Sequence, residues 1–86
     1  MITLDDIKKC AIVDNVQIEL TKFEYILLKH FLENPGIVFS REDLIKLHHR
    51  SVSLRSIDTA ISRLRKKIGD KCIKSRIGFG YYYEEL

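Results

Sequence analysis

A chain of 86 residues, 45% hydrophobic and 31% charged, is long enough for one modest core and too apolar for a disordered segment. No apolar run approaches the roughly 18 residues of a membrane span, and the N-terminus has no signal-peptide pattern; the expectation is one soluble, cytoplasmic domain over residues 1–86 with no membrane partner. The formal net charge of +3 is unevenly placed: residues 55–76 hold eight Lys/Arg against two Asp/Glu, residues 1–49 six against eight, an asymmetry that points to a polyanionic partner.

The first twenty residues read as β structure. "ITL" is short and apolar, and the β-branched segments "KCAIV" and "VQIEL" flank Asp14-Asn15, a tight-turn pair. Two or three small antiparallel strands are expected, the last ending near Leu20.

In "LTKFEYILLKHFLENPG", Thr21 and Glu24 match a capping box. Phe23, Ile26, Leu27 and Phe31 form an apolar stripe, with Leu28 and Leu32 on its flank, and Asn34-Pro35-Gly36 stops the pattern. This predicts a first helix over about residues 22–33. "SREDLIKLHH" restarts with Ser40 as N-cap and Asp43 at the third helical position, predicting a short second helix over 41–48 with His48 packed on its inner flank. After "RSVS", with Ser53 as cap, a third helix is expected from about Leu54 to Ile68, closed by Gly69.

The tail "KCIKSRIGFGYYYEEL" changes to period two. Strand "CIKSRI", turn "GFG" and strand "YYYEEL" predict a C-terminal hairpin, with Tyr82 facing away from Tyr81 and Tyr83.

Cys10 and Cys72 form neither a CxxC pair nor a disulfide framework and are expected as free thiols in or near the core. His48 and His49 are adjacent, about 100° apart on a helix, a poor chelating pair; no metal is expected. With no phosphate-binding glycine loop and no nucleophile–base pair, the chain is read as neither an enzyme nor a binder of a cofactor or small-molecule substrate.

The third helix separates two jobs. At 100° per residue Ile57, Ile61, Leu64 and Ile68 face the core, flanked by Ala60, while Arg55, Thr59, Ser62, Arg63 and Lys66 collect opposite, with Ser56 and Lys67 beside them. Asp58 and Arg65 fall on another flank. Small hydroxyls mixed with long cations, and no glutamate, suit close approach to DNA: arginine can grip guanine bidentately, and Lys, Ser and Thr can hold phosphates. Lys74 and Arg76, near a Gly-x-Gly turn, suggest a basic wing beside that helix. The competing reading is a winged-helix module whose basic face meets an acidic protein.

The order "ELTKFEYILLKHFLENPGIVFSREDLI", "RSIDTAISRLRKKIGD" and "IKSRIGFGYYY" resembles the OmpR/PhoB-type winged-helix effector domain of bacterial response regulators. The matched motifs are LT-x-x-E-Y-x-LL, NPG-x-V-x-SRE-x-L, R-S-x-D-x-x-I-S-R-LRKKI and the terminal G-x-GY, and they cover essentially the whole chain. The resemblance implies an α+β winged helix-turn-helix: a small N-terminal antiparallel sheet, three helices and a C-terminal β-hairpin wing. It implies sequence-specific binding to double-stranded promoter DNA for transcriptional regulation in a two-component phosphorelay. The recognition helix, about 54–68, would lie in the major groove, and the wing, about 72–83, on adjacent backbone or minor groove.

By position, the resemblance makes Arg63 the candidate for base contact and Arg55 and Arg65 phosphate-contacting arginines, with Ser56 and Thr59 in exposed groove positions. It further implies pairing with a second copy on repeated half-sites and contact with RNA polymerase through the loop between the second and third helices. It also implies control by an attached receiver domain, which this chain does not contain. Three positions depart from the family pattern. Lys22 stands where proline is usual, His49 where an aromatic is common, and Arg76-Ile77-Gly78 where Val-Arg-Gly is common. A one-residue displacement on a strand turns a side chain to the other face, so Arg76 is expected either to meet phosphate from a different angle or to fall short of the minor groove.

Overall fold

The computed structural model describes residues 2–48 and 50–85. Strands β1 (Ile2–Asp5), β2 (Cys10–Val13) and β3 (Val16–Glu19) make an antiparallel sheet in that order. Asp14 and Asn15 sit at φ 50° and 67°, the left-handed pair that a two-residue hairpin turn requires, and they set the register Val13↔Val16 and Ala11↔Ile18. Between β1 and β2, the Asp5 carboxylate accepts the N–H groups of Ile7 and Lys8, both at 3.0 Å. Lys9, expected to open the second strand, instead takes φ 57° and ends that turn.

Helix α1 (Lys22–Glu33) begins with the expected reciprocal cap. The Glu24 N–H donates to Thr21 Oγ1 at 3.3 Å, and the Thr21 N–H donates to Glu24 Oε1 at 2.8 Å. Asn34 closes the helix by donating its side-chain amide to the His30 carbonyl at 2.9 Å. Helix α2 (Arg41–Ile45) has the same device in Ser40 and Asp43. The Ser40 backbone N–H, and then its hydroxyl, hold the Asp43 carboxyl below its ordinary value.

α2 is shorter than its sequence pattern suggests. Past Ile45 the chain tightens into turns, with the Leu47 N–H donating to Leu44 O and the His48 N–H to Ile45 O, both at 3.1 Å. The His48 ring packs edge-on against Phe23 of α1, centroids 4.4 Å apart, and its Nδ1 accepts the Arg50 N–H at 3.0 Å. That contact with α1 draws the chain off the helical path before another full turn forms. His49, with the expectations attached to it, lies outside the described residues.

Helix α3 (Leu54–Ile68) buries Ile57, Ile61, Leu64 and Ile68, as its periodicity predicts. They pack with Leu27, Leu28 and Phe31 of α1, Leu44 of α2, and Ile2 and Ala11 of the sheet. Ser53 is the N-cap residue, but its hydroxyl meets the Ser56 hydroxyl at 3.3 Å instead of a backbone N–H. Gly69, at φ 101°, ends the helix. Cys10 is buried, Cys72 is half-buried, and both are free thiols.

The hairpin is formed by β4 (Ile73–Arg76) and β5 (Gly80–Tyr83), in register Ile73↔Tyr83 and Ser75↔Tyr81. Its turn falls one residue earlier than expected, at Ile77-Gly78-Phe79, closed by the Phe79 N–H on Arg76 O at 2.9 Å. Gly80 therefore opens the second strand. Tyr83 is buried and Tyr81 packs against the core.

β5 has a second neighbour on its other edge. Phe39 and Tyr81 exchange backbone hydrogen bonds of 2.8 and 2.9 Å, and the Gly36 N–H reaches Tyr83 O at 2.8 Å. The segment linking α1 to α2 thus lies alongside the wing. This approach is so close that a Cβ on Gly80 would stand 2.0 Å from the Phe39 carbonyl oxygen.

One polar link runs through the core's edge. Glu24 is 3% exposed and accepts from Lys67 Nζ of α3 at 2.6 Å. Burial pushes its carboxyl up, but the Lys67 ammonium and the Thr21 N–H together outweigh this and hold it below the ordinary glutamate value of 4.5. A carboxyl lowered on folding contributes stability that is complete above its unfolded value and lost as pH falls through its folded value. Glu24→Gln is expected to cost about 1 kcal/mol at neutral pH, the partly solvated Lys67 limiting the loss. Urea midpoints measured across the acid limb below pH 4.5 are expected to fall less steeply in the variant than in the wild type.

Candidate nucleic-acid interface

The amphipathic period of α3 fixes which of its side chains face outward. With the isoleucine–leucine side fastened to the core, Arg55, Thr59, Ser62, Arg63 and Lys66 are exposed, and Ser56 is half-exposed beside them. Thr59 Oγ1 donates back to the Arg55 carbonyl at 3.3 Å, which keeps this hydroxyl close to the helix. Arg55, Ser62, Arg63 and Lys66 make no side-chain hydrogen bond or ion pair among the described residues.

The acidic residue of α3, Asp58, does not dilute this face. Its Oδ2 accepts from Arg41 Nη1 of α2 at 3.0 Å, and its Oδ1 accepts from the Tyr81 hydroxyl of β5 at 2.6 Å. Burial, and then this carboxylate, push the Tyr81 phenol above its ordinary value. Asp58 therefore ties two helices and the hairpin together and faces away from the basic surface.

Arg65 has the matching job on the other side of Tyr81. Its Nε donates to the Ile73 carbonyl at 2.9 Å and its Nη2 to Ser75 Oγ at 3.0 Å. The guanidinium lies 5.3 Å from the Tyr81 ring centroid, a cation–π distance. The structure thus places Arg65 against the hairpin, while Lys67 is directed to Glu24.

On the wing itself, Lys74 Nζ pairs with Glu84 at 3.2 Å, and the exposed Arg76 guanidinium stands 5.9 Å from the Phe79 ring centroid. Between the wing and the helices runs an open cleft of about 390 Å³, with Arg41, Glu42 and Asp58 on one wall and residues 75–81 on the other. The hairpin is thus joined to α3 through Arg65, and to α2 and α3 together through Asp58 and Tyr81. Sequence periodicity placed Asp58 and Arg65 together on a flank without revealing this clamp. The signal available was the odd acid in an otherwise basic helix.

Among the described residues no three of His, Cys, Asp and Glu come together as a metal site, and no helix is long and apolar enough to cross a membrane.

The family model described as "Transcriptional regulatory protein, C terminal" matches residues 15–83. The TorCAD operon transcriptional regulatory protein TorR of Escherichia coli (strain K12) is 40% identical over 73 residues, covering 80% of this chain and 32% of TorR. The chain thus spans about a third of the length of such curated relatives. Response regulator DrrB of Thermotoga maritima, an OmpR/PhoB homolog, superposes with a TM-score of 0.87 at 32% identity, over 98% of this chain and 42% of DrrB. The DNA-binding domain of Klebsiella pneumoniae RstA, solved in complex with the RstA box, gives a TM-score of 0.84 at 26% identity, over 96% of this chain and 90% of that one. A helix-turn-helix with its hairpin wing, found both by the matched sequence and by the superposed backbone, leaves one assignment: the chain belongs to the family of transcriptional regulatory C-terminal domains, the winged-helix output domains of OmpR/PhoB-type response regulators.

Proposed function

We propose that this domain binds double-stranded DNA sequence-specifically, with α3 in the major groove and the β4–β5 wing on the adjacent backbone or minor groove. The observation that carries this reading is the outward face of α3: exposed Arg55, Thr59, Ser62, Arg63 and Lys66 with no acid among them. An α-helix fits the major groove, where arginine can meet guanine O6 and N7 while lysine and hydroxyl groups hold phosphates. Arg63 reads a base; Arg55, Lys66, Ser56, Ser62 and Thr59 hold the helix in the groove. Arg65 acts chiefly by fixing the wing's angle, and reaches phosphate only with the donors that Ile73 and Ser75 leave over. Arg76 brings positive charge to the second contact, and Lys74 adds to it where a phosphate displaces its partner Glu84.

In the cell this domain works as the output domain of a longer cytoplasmic regulator. It sits in pairs on repeated promoter half-sites and meets RNA polymerase through the α2–α3 connection. Selection from a random duplex library at two salt concentrations tests the reading. Enrichment of a half-site whose binding weakens with salt supports it; an unenriched pool, with capture of an acidic protein instead, sinks it. Lys66→Ala is expected to weaken selected and random duplex about equally. In that variant the slope of log affinity against log salt falls by about one unit, the signature of one lost phosphate contact.

A further inference from the structure

The hairpin turn has a composition that neither its conformation nor the core explains. Short turns favour Gly, Asn, Asp and Ser, each for a conformational reason, and here only Gly78, at φ 83° with open space around it, meets that need. Its neighbours are Ile77, 93% exposed, and Phe79, 67% exposed, and neither joins the hydrophobic core. Ile7 is as exposed, at 94%, but it follows Asp5 and Asp6. The wing tip has cations beside it instead. Arg76 precedes Ile77 and lies over the Phe79 ring at 5.9 Å, and the hairpin is pinned to the basic helix through Arg65 and Ser75 at 3.0 Å.

Two apolar side chains at a narrow turn, separated by a residue without a side chain and edged by an arginine, match a wedge for the minor groove. That groove is about 6 Å wide in B-DNA, and proteins that enter it insert Phe or Ile between base steps while cations hold the flanking phosphates. We propose that Ile77 and Phe79 enter the minor groove beside the half-site bound by α3 and partly unstack one base-pair step, bending the duplex, with Arg76 on the adjoining phosphate. The inference rests on the DNA-binding reading above and adds a deformation to it. It also predicts a preference at a position where no hydrogen bond reads the base, favouring the easily opened TA or CA steps.

The test uses the 86-residue chain and the duplex it selects, with 2-aminopurine replacing each adenine in turn and donor and acceptor dyes at the duplex ends. Saturating protein is expected to raise 2-aminopurine fluorescence several-fold at one step flanking the half-site and to shorten the end-to-end distance. I77S/F79S, checked for an unchanged circular dichroism spectrum and urea midpoint, is expected to protect the same half-site with about ten-fold weaker affinity and neither signal. Half-site binding by the wild type with no fluorescence rise at any step overturns the wedge and leaves the DNA-binding reading standing. The wedge is equally overturned if the double variant bends DNA as the wild type does. A dimer in sedimentation equilibrium that the double variant abolishes, with DNA binding untouched, assigns the tip to self-association and also overturns the wedge. Failure to enrich any duplex removes both readings at once.

Discussion

Gly80→Ala is expected to destabilise the domain by about 3–5 kcal/mol, combining backbone strain with loss of the hydrogen bonds that join the wing to residue 39. Two independent features of the position produce this. At φ 144° the backbone is in a region that side chains rarely occupy, and a Cβ would lie 2.0 Å from the Phe39 carbonyl oxygen and 2.8 Å from Ser40 Cα. The obstacle is backbone, so no rotamer change relieves it. Either β5 moves away, breaking the 2.8 and 2.9 Å bonds between Phe39 and Tyr81, or the N-terminus of α2 is displaced. Urea unfolding of the purified variant measures the loss. Gly78→Ala is the control: its Cβ meets nothing within 4 Å, so only the cost of a positive φ applies, about 1 kcal/mol.

Arg63→Ala is expected to weaken binding to the selected half-site by about 1–3 kcal/mol and to relax the preference at one base position. Binding to random duplex changes far less. The separation follows from where Arg63 stands: on the outward side of α3, exposed and without a partner among the described residues. Its removal therefore leaves no gap in the fold. Competition binding against a panel of single-base variants provides the readout. An equal loss on selected and random duplex would reassign Arg63 to the phosphate backbone. Arg65→Ala is expected to behave differently, since it also removes the donors to Ile73 and Ser75 and lowers the stability of the free domain.

What the sequence revealed and what it hid divide along the range of the interaction. Thr21 with Glu24 and Ser40 with Asp43 were legible because a capping box closes over three residues. The Asp14-Asn15 turn was legible because both residues tolerate left-handed backbone. The buried side of α3 followed from its period alone. The partners that fix the wing were not legible. Asp58 and Arg65 read as a helical flank, whereas their contacts, Arg41, Tyr81, Ile73 and Ser75, lie on other elements. Lys67 falls beside the groove-facing residues on a helical wheel, yet its ammonium reaches back to Glu24, 43 residues earlier. The end of α2 was misplaced for the same reason, because the contact of His48 with Phe23 belongs to tertiary packing. The hairpin turn slipped by one residue, since period two cannot say whether Ile77 ends a strand or begins a turn.

The exchange of backbone bonds between Phe39 and Tyr81 has a consequence for any operator this domain reads. Because the strand that carries the wing is also laced to the entrance of α2, the proposed contacts of α3 and the wing with DNA would keep a set separation. On the proposed docking, one extra base pair between the base assigned to Arg63 and the step assigned to Ile77 shifts the second target by about 3.4 Å and turns it by about 34°. A wing on a flexible tether could follow that displacement. One held on both edges cannot, so spacing within the half-site is expected to tolerate no insertion even where every individual base is kept.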